Sequence, residues 1–208
     1  SNSIVFKSAK VLGDALEKNT ELGSHALSLH SKIMAFSLRE VGININTIPV
    51  LDILSKDESG IIGDRSYSLN KEIVTKAGKV VIESLSANGV APVIKHIPGH
   101  GRAKVDSHLD LPIIETSISE LDDTDFYPFK GNNNTDLAMT AHIIYKDIDN
   151  DLPGTLSKKI INDIIRKKIG FNGLIMTDDI SMKAIKISVV DAAVKSLDAG
   201  CDLVLHCN

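Results

Sequence analysis

The chain reads as an α/β protein, a (β/α)8 TIM-type barrel that is incomplete, with about five strands recognisable. Two observations predict this. Strand-like apolar runs alternate with amphipathic helical stretches, and the runs end in turn on Asp52, His96, His142, Asp178 and Cys207-Asn208. Strand, helix, strand in that order implies parallel neighbours joined by right-handed crossovers, because a tight hairpin cannot connect parallel strands. A barrel assembles its site from many strand ends, whereas a doubly wound sheet concentrates it at one switch point. Chemically capable residues at successive strand ends favour the barrel.

Taken in order, Leu22, Ala26, Leu29, Ile33, Phe36 and Leu38 recur at helical spacing and predict a helix from Glu21 to Arg39, stopped by Gly42. Ile43 to Leu51 is a β-rich run ending on Asp52. A polar loop with Gly60, Gly63 and Arg65 then leads into a helix from Lys71 to Ser86, marked by Ile73, Ala77, Val80, Val81 and Leu85. Further along, strands are predicted at Val90 to His96, Leu137 to His142, Gly173 to Asp178 and Asp202 to Cys207. Helices are predicted around Ile118 to Phe129, from Lys158 to Lys168 and from Val189 to Ala199. A full barrel takes about 250 residues and eight strands. Residues 1–208 are therefore expected to be a single barrel domain, partial, with an N-terminal strand segment and C-terminal units missing.

Composition removes several function classes. At 43% hydrophobic the chain is too apolar for a disordered tail, and no stretch approaches the roughly 18 apolar residues of a membrane helix. A net charge of −4, with three Tyr, five Phe and no Trp, supplies neither a basic field nor stacking platforms, so neither nucleic acid nor membrane is expected as a partner. Cys201 and Cys207 cannot build a disulfide framework or a zinc knuckle by themselves. Both are read as buried small apolar residues in a reducing compartment. Ser1-Asn2-Ser3 lacks the cationic and apolar regions of a signal peptide.

The densest chemistry lies in Lys95-His96-Ile97-Pro98-Gly99-His100-Gly101-Arg102, followed by Asp106-Ser107-His108. Proline and two glycines after a strand make a loop that a ligand can approach closely. His96 and His100 have the i, i+4 spacing of two metal ligands on a helix, with Asp106 or His108 as further donors, but Pro98, Gly99 and Gly101 argue against a helix there. Asp106 and His108 sit two apart, so on an extended segment the carboxylate lies beside the imidazole and favours its protonated form. That pair is a candidate general acid; a solvated Asp-Ser-His turn is the competing reading. Asp178 ends a buried strand with Asp179 beside it. Two adjacent carboxylates at such a place are costly without a role. Asp179 suits a helix N-cap, and Asp178 suits catalysis. A strand-end carboxylate and a loop-borne proton donor together match the equipment for retaining glycoside cleavage.

These residues resemble glycoside hydrolase family 3, and within it the bacterial β-N-acetylglucosaminidases of cell-wall recycling. Lys95 to Gly101 with Asp106-Ser107-His108 is similar to the subgroup's signature, and Gly170-Phe171 through Thr177-Asp178-Asp179-Ile180-Ser181-Met182 is similar to its nucleophile strand. Supporting segments are Gly42 to Asp52, Gly63 to Ser68, Met139 to His142 and Ala199 to Asp202. The resemblance implies Asp178 as the nucleophile of a covalent glycosyl-enzyme intermediate, and His108 as acid/base, oriented and charged by Asp106. It also implies Arg65, Lys95 and His96 as holders of the hydroxyls of a terminal N-acetylglucosamine. The implied substrates are N-acetylglucosaminyl-anhydromuramyl peptides from peptidoglycan, the implied compartment is the cytoplasm, and no metal or organic cofactor is implied. Asp106 and His108 would ride on a mobile loop, with Gly99 and Gly101 absorbing its dihedral changes. The chain departs from the pattern in lacking an early Asp-Gln-Glu-Gly-Gly-like segment, and in short stretches at Lys130 to Thr135 and after Met182. A second reading is therefore a non-catalytic sugar-binding or inactive fragment that keeps Arg65, Lys95 and His96. A His acid/base is compatible with transfer of the sugar to water or to phosphate.

Overall fold

The structure, a computed structural model, describes residues 5–54, 61–103 and 111–207. Two helices open it: α1 (Ala9–Lys18) and α2 (Thr20–Glu40). Asn19 separates them, its side chain accepting from the amides of Glu21 and Leu22 as the N-cap of α2. Helix α1 was not read from sequence. Gly13 interrupts its pattern because it packs so closely on Tyr67 that a Cβ would lie 1.7 Å from the Tyr67 carbonyl oxygen. Gly42, at φ +79°, ends the turn after α2 as predicted.

The Ile43 to Leu51 run forms less ladder than expected. Strand β1 is Ile45–Asn46, followed by an isolated bridge from Val50 to Lys95. Between them the Ile48 amide bonds locally to the Asn46 carbonyl, and Pro49 has no amide to give. The extended segment still lies beside β2 (Ala91–Ile97), whose Val93 and Lys95 amides donate to the carbonyls of Ile48 and Pro49. Helix α3 (Lys71–Ser86) falls where it was predicted, capped by the Asn70 side chain.

Beyond β2, β3 (Ile113–Ile114) pairs in parallel with β5 (Ile144–Tyr145) in a small rim sheet that the sequence did not reveal. The helix expected around Ile118 to Phe129 is two, α4 (Ile118–Asp123) and α5 (Tyr127–Lys130). It breaks at Thr124 and Asp125, whose side chains turn to Arg102. Strand β4 (Leu137–Thr140), a wide helix of π type (Ile160–Lys168), β6 (Leu174–Met176) and α6 (Val189–Ala199) complete the order. The strand expected at Asp202 to Cys207 is reduced to one bridge between Leu203 and Met176. Its ladder is interrupted because the Leu205 amide donates to the Thr177 hydroxyl instead of a backbone carbonyl. Cys201 is buried as expected, while Cys207 is exposed, contrary to expectation.

The main sheet is parallel throughout, in the order β1-β2-β4-β6. Strand order follows chain order with no reversal, which is barrel winding and not the doubly wound arrangement. Register places Ile94, Ala138 and Ile175 side by side. All three are buried in the main core with Val74, Val81, Leu85, Ile161 and Ile165 of the outer helices. Alternate positions Val93, Leu137, Met139 and Met176 form a separate apolar cluster with Leu205. The sheet is thus a wall with packed side chains on both faces, as a barrel requires. No helix among the described residues is long and apolar enough to cross a membrane.

Candidate active site

All strands of a parallel sheet point the same way, so the residues following β1, β2, β4 and β6 share one rim. Asp52 follows the β1 segment there, and its carboxylate is fully buried. His96 sits in a bulge of β2, where the register to β4 slips between Lys95 and Ile97. A bulge re-aims a side chain, and the His96 ring meets Asp52 with Nδ1 2.7 Å from Oδ2. The Asp52 carboxylate also accepts the His96 amide at 3.3 Å and the His100 amide at 2.7 Å. Burial alone would raise the Asp52 pKa, but the attraction of His96 and His100 and these hydrogen bonds outweigh it and hold it below the ordinary carboxylate value. With Nδ1 engaged, His96 presents Nε2 to the rim, 3.9 Å from Oδ2 of Asp178.

Asp178 follows β6 and is 19% exposed, so it can be reached from the rim. Its other oxygen, Oδ1, accepts the Asp179 amide at 2.8 Å. The neighbouring Lys95 donates to the Thr47 hydroxyl at 3.1 Å. Burial lowers the Lys95 pKa, while Asp178 and Asp52 pull it back up and Arg65 pushes it down. Arg65 ends a short 3-10 turn, Gly63–Arg65, and donates to the Ile61 carbonyl at 2.8 Å. Arg65 and Lys95 line one cavity of about 340 Å3 between α1, α2 and the β1 segment. A nucleophile-type carboxylate, an oriented imidazole and two cations on one rim are groups suited to gripping a polyhydroxy ligand and attacking it.

Of the residues predicted from sequence, Asp178 and His96 are brought together, Lys95 lies within reach of the Asp178 charge, and Arg65 lines a cavity with Lys95. Asp106 and His108 lie outside the described residues. The loop leading to them differs from the expected hinge. Gly99, His100 and Gly101 are buried, and a Cβ on Gly101 would stand 1.7 Å from the Ile53 carbonyl oxygen. Tyr145 donates to the Gly99 carbonyl at 2.8 Å, and Arg102 pairs with Asp125 at 2.7 Å. In the described stem these glycines pack closely, and the stem is anchored as far as Ala103. His100 faces inward, and burial, then the charge of His96, push its pKa down to about 4. Asp179 begins no helix; its carboxylate accepts the Ser181 amide at 3.0 Å in a local turn. No group of three or more His, Cys, Asp or Glu among the described residues is arranged to hold a metal ion.

Two rim residues received no role from sequence. Asp52, which orients His96, carried the signal of an abrupt acid after an apolar run. His142 likewise ended an apolar run on an abrupt polar group, and it is buried with its ring bonded to Thr155 and to the Asp179 main chain.

Comparison with known proteins places the chain in a family. A beta-hexosaminidase from Nitrosomonas eutropha is 33% identical over 203 residues, covering 96% of this chain and 58% of that protein. One from Methylobacillus flagellatus is 36% identical over 180 residues, covering 85% and 51%. This chain therefore spans about half to three fifths of the length of these curated relatives. Among solved structures, a family 3 beta-N-acetylglucosaminidase from a Paenibacillus species superposes with TM-score 0.91 at 33% identity, over 99% of this chain and 39% of that one. NagZ from Neisseria gonorrhoeae, determined in complex with N-trifluoroacetyl-D-glucosamine, gives TM-score 0.91 at 32% identity, over 100% of this chain and 60% of that one. The profile of the glycosyl hydrolase family 3 N terminal domain matches residues 5–208, and the chain belongs to that family.

Proposed function

We propose that this chain carries the catalytic centre of a retaining β-N-acetylglucosaminidase that removes terminal β-linked N-acetylglucosamine, from anhydromuramyl-peptide fragments of the cell wall recycled in the cytoplasm. One observation carries the reading: Asp178, solvent-accessible at the strand end, stands 3.9 Å from an imidazole that a buried carboxylate holds in place. Family membership and the names of the relatives support it.

In this reading Asp178 attacks the anomeric carbon as the bond to the departing oxygen breaks. His108, charged by Asp106, gives that oxygen its proton. Water then displaces Asp178 while His108 takes a proton from that water, so two inversions give net retention. Arg65, Lys95 and His96 hold the sugar hydroxyls. Residues 1–208 act as one catalytic barrel domain.

Trapping with a fluorinated N-acetylglucosamine analogue carrying a good leaving group tests the assignment. Intact mass is expected to rise by one glycosyl unit in the unsubstituted protein and not in Asp178→Ala; an adduct on the variant reassigns the nucleophile. His108→Ala is expected to slow cleavage of substrates with poor leaving groups by roughly 10² to 10⁴-fold and to spare activated aryl glycosides. Equal losses on both would remove His108 from the acid role, and saturable binding without product would make the chain a sugar binder.

A further inference from the structure

The turn that presents Asp178 is held from the side by β4. His142, just beyond that strand, is completely buried, and its Nε2 lies 3.0 Å from the main-chain carbonyl oxygen of Asp179. A carbonyl can only accept, so Nε2 carries the proton. On the other side of the ring Nδ1 lies 2.6 Å from the Thr155 hydroxyl, which lies 2.8 Å from the Thr140 hydroxyl. Both threonines are fully buried. If the ring is neutral, every proton has a place: Thr140 donates to Thr155, Thr155 donates to Nδ1 at 2.6 Å in preference to the more distant Ala141 carbonyl at 3.3 Å, and Nε2 donates to Asp179. Burial lowers the His142 pKa against the pull of Asp178 and Asp179, which keeps the ring neutral. A neutral donor is what this position needs, since an imidazolium near Asp178 would offset the negative charge on which attack depends.

The rest of the turn is tied from the opposite flank. The Thr177 amide donates to the Leu203 carbonyl at 3.0 Å, and the Ile180 amide to the Leu205 carbonyl at 3.0 Å. Asp178 is therefore clamped between two walls, and on the β4 side the Asp179 carbonyl is held by His142.

We propose that His142 is a positioning residue for Asp178: its Nε2–H holds the Asp179 carbonyl, and with it the turn that aims the carboxylate, while Thr155 and Thr140 fix the ring in that tautomer. The inference rests on the assignment of Asp178 as nucleophile, and two measurements on the whole protein separate them. Ring-nitrogen NMR with labelled histidine is expected to show His142 as the neutral Nε2–H form at neutral pH and Thr155→Val to disturb that signal. A charged ring or an Nδ1–H form overturns the inference whether or not the protein cleaves a sugar. In turnover, His142→Leu is expected to lower kcat by roughly 10 to 10²-fold, the scale of a small misplacement of a reacting group, with KM little changed. His142→Gln, whose side-chain amide can donate to the same carbonyl, is expected to restore much of the loss. Because a buried His→Leu change can unfold a domain, Thr155→Val is the milder second variant, and it is expected to lower kcat in the same sense. Unchanged kcat in folded His142→Leu, or equal loss in His142→Gln and His142→Leu, overturns the inference. Activity surviving in Asp178→Ala removes the nucleophile assignment instead.

Discussion

Asp52 and His100 both cost the rim stability in acid, but over different pH windows. His100 titrates near 4 in the folded protein against an ordinary 6.5, so the unfolded chain takes up its proton first as the pH falls. Stability from the neutral ring is thus fully present above about pH 6.5 and is lost down to about pH 4, by on the order of 3 kcal/mol at most. His142 acts in the same direction. The Asp52 pKa is lowered, so its contribution is complete above its ordinary 3.8 and fades only in stronger acid. Thermal midpoints measured from pH 7 to 4 are expected to fall, with a shallower fall in His100→Asn; a flat profile would show that the ring is not buried neutral. The sequence made Lys95, His96 and Asp178 legible because each breaks an apolar run with a polar group at the strand end. It could not assign Asp52, because the imidazole it orients lies 44 positions away. Only the pairing of β1 with β2 joins them.

Elements were legible by existence more than by direction. Helix α2 was found from Leu22, Ala26, Leu29, Ile33 and Phe36, yet these face outward, and the buried side is Gly23, Leu27, Ser31 and Ala35. Small residues win that face because α1 comes very near: a Cβ on Gly23 would lie 2.4 Å from the Leu16 Cα. Hydrophobic periodicity marks a helix but does not choose between an apolar stripe and a close-packed one. The stem from Pro98 to Ala103 shows the same limit, since glycine suits a hinge and a tight contact equally well in sequence. Gly101→Ala is expected to destabilise the fold by about 2 kcal/mol or more, because the added methyl collides with backbone that cannot rotate away. Denaturant midpoints check this, and a variant as stable as the parent would restore the hinge reading.

At the scale of the molecule, the winding of the sheet was legible from strand–helix alternation, whereas its edges were not. Among the described residues β1 pairs only with β2, and Leu203 is the last bridge at the other end. Near one edge Leu22, Leu29 and Phe36 are exposed, and near the other Leu174, Val190 and Val194 are. Unpaired strand edges flanked by apolar surface favour association. Light scattering on residues 1–208 alone is expected to show oligomers, reduced in a Leu29→Glu, Phe36→Lys variant with unchanged thermal midpoint; a monomer at high micromolar concentration would contradict this. A different consequence follows from the single carboxylate of Asp52, which ties the backbone of β2 and of the loop beyond it to the preceding strand. Loosening the loop alone does not free the His96 amide, because both it and its acceptor sit inside the wall, and freeing the His100 amide breaks its 2.7 Å bond to that same carboxylate. The rim that carries Asp178 and the barrel wall are therefore expected to open to deuterium as one cooperative unit.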